Sequence, residues 1–265
     1  MCGRYVLVQK VETIEKRFNA KFSNAEIYKS NYNISPGQYA PIITDREPKI
    51  IQMFRFGLIP FWAKKKMTLF NARAEGDHNK NNDINYKGAK GIINKPAFRK
   101  PIRSSRCLII ANAFIEGTEK NGLNEPYLIY LQDTQLFVFA GIWDQWLDPA
   151  TNELIYSFSI ITTIVNSLIQ QLPHKRSPVV IDKYYEQKWL NTKAPLSDIT
   201  GLLQAFKSEK MNAFRISPDI KNPRENNPEL LKPVEERLRP ETNNILKQTL
   251  ELHGMGQYKP KKKFQ

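Results

Sequence analysis

Short runs of β-branched and aromatic residues recur along this chain and constrain its fold more than any other feature: Arg4 to Val8, Pro41 to Thr44, Ile50 to Phe56, Cys107 to Ala111, Tyr127 to Leu131, Leu136 to Trp143, Leu154 to Thr163 and Pro178 to Ile181. Runs of this length and composition read as strands. Asn121-Gly122 lies between two of them and favours the positive backbone angles of a tight hairpin turn, so at least part of the sheet is antiparallel. Helical spacing appears at Val11, Ile14 and Phe18, from Asp182 to Leu190, and from Ser197 through Leu202, Leu203 and Phe206. Strands and helices do not alternate regularly, which predicts an α+β class. One domain is expected over residues 1–233. Beyond Pro233 the apolar content thins, and residues 234–265 are expected to form a surface helix and a basic tail closing on Lys259-Pro260-Lys261-Lys262-Lys263.

Several function classes fall away at once. No apolar run approaches the roughly 20 residues that span a bilayer. Met1-Cys2-Gly3-Arg4-Tyr5 runs straight into strand-like sequence rather than a secretory signal, so a cytoplasmic protein without a membrane partner is expected. Neither a Walker phosphate loop nor a dinucleotide fingerprint occurs, and no cofactor is implied. Cys2 and Cys107 are too few for a disulfide framework, and with His78, His174 and His253 scattered, no metal site is expected. A monomer is the expected state.

Charge points to a partner. Forty Lys and Arg against 26 Asp and Glu give a formal charge of +14, which suits a polyanion, nucleic acid first. Between Lys87 and Arg106 stand Lys87, Lys90, Lys95, Arg99, Lys100, Arg103 and Arg106 without an acidic residue, flanked by Trp62, Tyr86 and Phe98. Basic residues interleaved with aromatics are what a groove tracking single-stranded nucleic acid requires. A basic but unspecialised surface is the alternative reading of charge alone.

The chemistry available at Cys2 is more specific. Removal of Met1, which a small second residue permits, would leave an α-amine with a reference pKa of roughly 7.7 to 8.0 beside a thiol of about 8.5. The amine can condense with an aldehyde to a Schiff base, and the thiol can close on the same carbon to give a five-membered thiazolidine. A ring-opened abasic deoxyribose presents such an aldehyde on a polyanionic backbone that positive charge would hold in register. A cysteine at position 2 is more often incidental, so other motifs must carry the case.

Five segments have site-like composition. Tyr32-Asn33-Ile34-Ser35-Pro36-Gly37-Gln38 ends a strand-like stretch in a rigid turn at Pro36, or is simply a loop. Phe56-Gly57-Leu58-Ile59-Pro60-Phe61-Trp62 offers Trp62 for stacking on a base, with core packing an equal alternative. Phe70-Asn71-Ala72-Arg73-Ala74-Glu75 alternates so that Asn71 and Arg73 share a strand face, suited to a sugar hydroxyl and a phosphate or to an ordinary salt bridge. Arg106 to Glu116 places a carboxylate just after an apolar strand, a position suited to proton transfer. Leu172-Pro173-His174-Lys175-Arg176-Ser177-Pro178-Val179 sets His174 in a turn bracketed by prolines, a candidate general acid or base.

Taken in order, these pieces resemble the SRAP family of abasic-site processing proteins. The resemblance runs from Met1-Cys2-Gly3-Arg4-Tyr5 through Asn33 to Pro36, Gly57-Leu58-Ile59-Pro60 with Trp62, Asn71-Ala72-Arg73-Ala74-Glu75, Lys95-Pro96-Ala97-Phe98-Arg99 and Arg106-Cys107-Leu108-Ile109 leading to Glu116, and reaches His174-Lys175-Arg176 with Pro178-Val179. It implies a single α+β domain of curved, largely antiparallel β-structure with flanking helices. It further implies that Cys2 forms a covalent link to an abasic site in single-stranded DNA, with Asn71, Glu116 and His174 as positioning and proton-transfer groups. Arg4, Pro36, Trp62, Arg73, Arg106 and Arg176, with Arg99 of the basic stretch, would bind the strand or stack at the lesion. A self-maturing peptidase activity at Cys2 is compatible with this. Phe56, Ile110, Asn112, Ala113, Gly117 and Ser177 depart from the family's usual residues, which bears on geometry near Glu116 and on the stacking surface.

Two rivals stay open at this point. N-terminal-cysteine amidohydrolases also begin Met-Cys-Gly, although their glutamine-binding motifs are not recognisable here and a small amide would not explain the basic stretch. A non-covalent single-strand-binding protein would use charge and aromatics alone.

Overall fold

The computed structural model describes residues 2–241, 250, 251 and 253–258. In chain order its strands are β1 (Arg4–Leu7), β2 (Lys21–Phe22), β3 (Asn31–Ile34), β4 (Tyr39–Thr44), β5 (Ile50–Phe56), β6 (Asn71–Arg73), β7 (Arg106–Ala111), β8 (Ala113–Thr118), β9 (Gly122–Leu131), β10 (Phe137–Leu147), β11 (Leu154–Thr163), β12 (Ser177–Pro178), β13 (Val180–Ile181) and β14 (Met211–Arg215). A five-stranded sheet runs β14-β9-β8-β1-β3, antiparallel at every pairing. A nine-stranded sheet follows the order β12-β11-β10-β7-β4-β5-β2, with β13 and β6 attached to β10 and β11. Its pairings β2 to β5, β5 to β11 and β6 to β11 are parallel, so this sheet is mixed.

Both sheets bury one shared core, and the alternation of β1 shows how. Tyr5 and Leu7 point into the main core, where the Tyr5 ring meets Phe56 and Phe139 edge-on, while Val6 and Val8 point the other way into a second cluster with Phe214, Ile216, Leu230 and Leu231. The first strand is thus covered on both faces, which fixes where Cys2 enters the fold. The helices, of which Val11–Phe18 is the first, flank the sheets, giving one α+β domain.

Most sequence-based expectations for the elements match, and the differences have local causes. The segment from Ile50 to Phe56, that from Leu154 to Thr163 and the helix at Val11 fall where periodicity puts them. Gly122 stands at φ +53° in the hairpin that joins β8 to β9. Glu116 does not follow a strand: the chain breaks at Asn112, whose side chain accepts from the Val8 N–H at 2.8 Å, and resumes as β8 in the other sheet with Glu116 inside it. Helical spacing through Phe206 overreaches, because the helix is Leu196–Gly201 and stops at a glycine, a residue of low helical preference. Over 182–190 a 3-10 turn (Lys183–Tyr185) precedes the short helix Glu186–Leu190.

The expected basic tail from Lys259 onward lies outside the described residues, as does most of the expected terminal helix, of which Leu250 and Glu251 are described as helical. Past Pro233 the chain at first lies along β14, with the Val234 and Leu238 amides donating to the Arg215 and Ala213 carbonyls, both at 2.9 Å. Among the described residues no helix is long and apolar enough to cross a membrane.

Candidate active site

Six chain segments meet around a cavity of about 570 Å³: the start of β1, the turn after β3, β6, the loop at Asn82, β8 with the hairpin that follows it, and residues 174–176 ahead of β12. Each arrives for a local reason. After β3 the Gln38 amide donates to the Ser35 carbonyl at 3.1 Å, with Pro36 and then Gly37 at φ +98° between them, the pattern of a type II turn whose third position demands a glycine. This aims Pro36 at the cavity. β6 pairs in parallel with β11, buries Ala72 and leaves Asn71 and Arg73 together on the opposite face, as the alternation predicted. At Gly117 a side chain is impossible in this hairpin, since a Cβ would lie 2.1 Å from the Gly122 backbone, so the wall beside Glu116 is bare main chain.

Glu116 and His174 line this cavity, and Cys2 and Asn71, which do not line it, are joined to them by hydrogen bonds. The Asn71 amide donates to the Cys2 carbonyl at 2.9 Å and also to the Phe70 carbonyl at 2.9 Å. Its Oδ1 is buried and accepts no hydrogen bond among the described residues. The Cys2 thiol is fully buried and hydrogen-bonded to Glu116. Burial first, and then the Glu116 carboxyl, push the thiol well above its ordinary pKa, so at neutral pH it holds its proton and points it at a carboxyl group. On the far side of Glu116, His174 Nε2 lies 3.2 Å from Oε2. His174 Nδ1 lies 2.7 Å from the Arg176 carbonyl and 3.3 Å from the Arg176 amide. The shorter contact is met when Nδ1 donates to the Arg176 carbonyl, and Nε2 is then turned to the Glu116 carboxyl. The arrangement can therefore accept the thiol proton at Glu116 and return a proton to a reacting atom in the cavity.

A buried ion pair underlies this constellation. Glu75 has no solvent exposure; its Oε2 receives Arg176 Nη2 at 2.8 Å, its Oε1 receives the Thr163 hydroxyl at 2.6 Å, and Lys90 Nζ stands 3.8 Å from Oε1. Burial raises the Glu75 carboxyl, but Arg176 and the Thr163 bond outweigh it and hold the group below its ordinary value. Arg176 also donates to the Thr162 carbonyl at 2.8 Å, while its buried Nη1 keeps no hydrogen-bond partner among the described residues. Arg176 is 4% exposed and lines the cavity as a member of a buried ion pair.

The remaining expected site residues divide. Arg4, Pro36 and Arg73 line the cavity. Arg4 Nη2 donates to the Lys221 carbonyl at 3.1 Å, and Arg73 makes one long contact with the Asn79 carbonyl at 3.4 Å. Trp62 and Arg99 line no part of it and stand exposed elsewhere on the surface. Arg106 corrects the sequence reading: it is 1% exposed, and its guanidinium donates to the carbonyls of Trp189, Ile102, Arg103 and Asn191. With four of its N–H groups spent on backbone in the interior, Arg106 fastens chain segments and is not a surface arginine. Sequence reasoning also missed Asn82, which the cavity wall includes. Asn79 shapes its loop by accepting from the Asp83 amide at 2.7 Å and donating to the Asp83 carbonyl at 2.9 Å. The Asn-rich stretch itself was the available signal.

The site is thus a mixed β-fold that buries Cys2 beside a carboxyl and an asparagine amide, with an imidazole 3.2 Å from that carboxyl. The family model for SOS response associated peptidase (SRAP) matches residues 1–223, and the chain belongs to that family. It is 35% identical over 238 residues to a Bacillus subtilis protein named abasic site processing protein YoqW, covering 87% of this chain and 99% of that one. It is 23% identical over 242 residues to the chicken abasic site processing protein HMCES, covering 78% of this chain and 67% of that one. A crystal structure of a Bacteroides thetaiotaomicron protein superimposes with a TM-score of 0.75 at 31% identity, covering 88% of this chain and all of that one.

Proposed function

We propose that this protein processes abasic sites in single-stranded DNA by forming a covalent thiazolidine link between Cys2, freed of Met1, and the ring-opened deoxyribose. The observation that carries the reading is the Cys2 thiol hydrogen-bonded to Glu116, whose Oε2 lies 3.2 Å from His174 Nε2. The names of the relatives and the net charge of +14 agree with a DNA substrate.

The α-amine of Cys2 attacks the aldehyde carbon to give a carbinolamine. A proton from the Glu116 and His174 pair goes to its hydroxyl, which leaves as water and yields the protonated Schiff base. The thiol, kept protonated by burial, then gives its proton to Glu116 as sulfur bonds to the same carbon, and the imine π-electrons return to nitrogen. Asn71 holds the Cys2 carbonyl and so fixes the direction of both nucleophiles. Arg4 and Arg73 at the cavity wall take the flanking phosphates, and Trp62 and Arg99 take strand further from the lesion. The same nucleophile and acid–base pair suit cleavage of a peptide bond ahead of Cys2, which would make the peptidase activity a self-maturation. The expected setting is cytoplasmic, with the protein acting as a monomer and without a cofactor.

Incubation with single-stranded DNA carrying one abasic site, followed by a denaturing gel, tests the reading. A slower band that survives denaturation is expected for the wild type and absent for Cys2→Ala. Reversible, salt-sensitive binding without that band would mean non-covalent binding alone, and glutamine hydrolysis without it would mean an amidohydrolase.

A further inference from the structure

We infer that Glu75 is a positioning residue for the reaction, acting through Arg176 to hold His174 against Glu116. The inference rests on the crosslinking function proposed above. Glu75 ends the β6 segment and His174 lies ahead of β12, so the two reach the site from distant parts of the chain and are joined by a continuous set of contacts. Glu75 Oε2 holds Arg176 Nη2 at 2.8 Å, and the Arg176 main chain brackets His174 Nδ1, with its carbonyl at 2.7 Å and its amide at 3.3 Å. His174 then presents Nε2 to Glu116 at 3.2 Å.

Loop residues 174–176 carry the imidazole but have little structure of their own until the two residues of β12 begin. What anchors them is the Arg176 side chain, buried in a slot between Glu75 and the Thr162 carbonyl. Glu75 is itself fixed by the Thr163 hydroxyl at 2.6 Å, and both threonines belong to β11, which also pairs with β6. Imidazole orientation is therefore transmitted from the rigid centre of the mixed sheet. An isolated buried carboxylate would be costly, and here two cations, Arg176 and Lys90, face it. Lys90 is the more distant at 3.8 Å, so Arg176 is the partner whose placement depends on Glu75.

The test compares wild type, Glu75→Gln, Glu75→Asp and the gentler Thr163→Val for binding of intact single-stranded DNA, crosslinking rate with abasic DNA, and melting temperature. Glu75→Gln is expected to bind intact DNA within about threefold of wild type yet crosslink about tenfold more slowly or worse. Glu75→Asp should recover part of the rate, and Thr163→Val should slow crosslinking by less, again with binding kept, which keeps the test sound if Glu75→Gln does not fold. Equal crosslinking by all variants, or binding and crosslinking falling in parallel with melting temperature, would overturn the inference and leave the crosslinking function standing. A wild type that forms no crosslink would overturn both.

Discussion

His174 Nε2 stands 3.2 Å from Glu116 Oε2, and on its other side Glu116 receives the Cys2 thiol, so one carboxyl group connects the imidazole to the nucleophile. In the proposed reaction acid and base are two ends of one proton path.

Glu116→Gln removes the acceptor for the thiol proton while keeping the shape of the side chain. Crosslinking is expected to slow by about 10²- to 10⁴-fold, the usual contribution of a positioned general base, with DNA binding unchanged. Single-turnover time courses on denaturing gels measure it, and a loss below about threefold would remove Glu116 from the proton path.

Asn71→Ala takes away the hydrogen bond that holds the Cys2 carbonyl at 2.9 Å. The crosslinking rate should drop by about tenfold or more through misdirection of the nucleophile, while stability changes by only about 1 kcal/mol. The same time course, read beside a urea unfolding curve, separates the two effects.

Arg106→Ala leaves backbone carbonyls of Trp189, Ile102, Arg103 and Asn191 without their donor in the interior. A destabilisation of about 3 kcal/mol or more is expected from urea unfolding, with no specific loss of DNA affinity in the folded fraction. Trp62→Ala should do the reverse. At 49% exposed this side chain contributes little to packing, and its removal should weaken single-strand binding by about 1–3 kcal/mol, read as anisotropy of a labelled oligonucleotide, with the unfolding curve unmoved.

Glu75 sets a pH dependence of stability. Its carboxyl is held below the ordinary 4.5 in the folded protein, so its contribution is complete above that value and is lost as pH falls through the lower folded-state value. Unfolding free energy measured from about pH 6 down to about pH 3 should therefore decline more steeply for wild type than for Glu75→Gln. Parallel declines would contradict the assignment.

Much of this was legible along the chain, and what was not has physical causes. Ile50 to Phe56 and Leu154 to Thr163 announce themselves because continuous apolar runs flanked by polar residues leave a strand little latitude. β8 was hidden because the sheet change at Asn112 depends on a side-chain bond to Val8, a contact 104 residues away in sequence. Asn71 and Arg73 share a face by simple alternation, whereas the pairing of Glu75 with Arg176 spans 101 residues and leaves no periodic trace. Arg106 misled because it closes a basic stretch and opens an apolar strand. Only the fold shows that its side chain turns inward to Trp189.

The central claim is tested most directly by intact mass and peptide mapping of the product formed with abasic single-stranded DNA. The expected adduct is the chain without Met1 plus the oligonucleotide less one water, mapped to the peptide that begins at Cys2 and missing in Cys2→Ala. An adduct on a lysine, or one that forms equally well in Cys2→Ala or with Met1 retained, would contradict it.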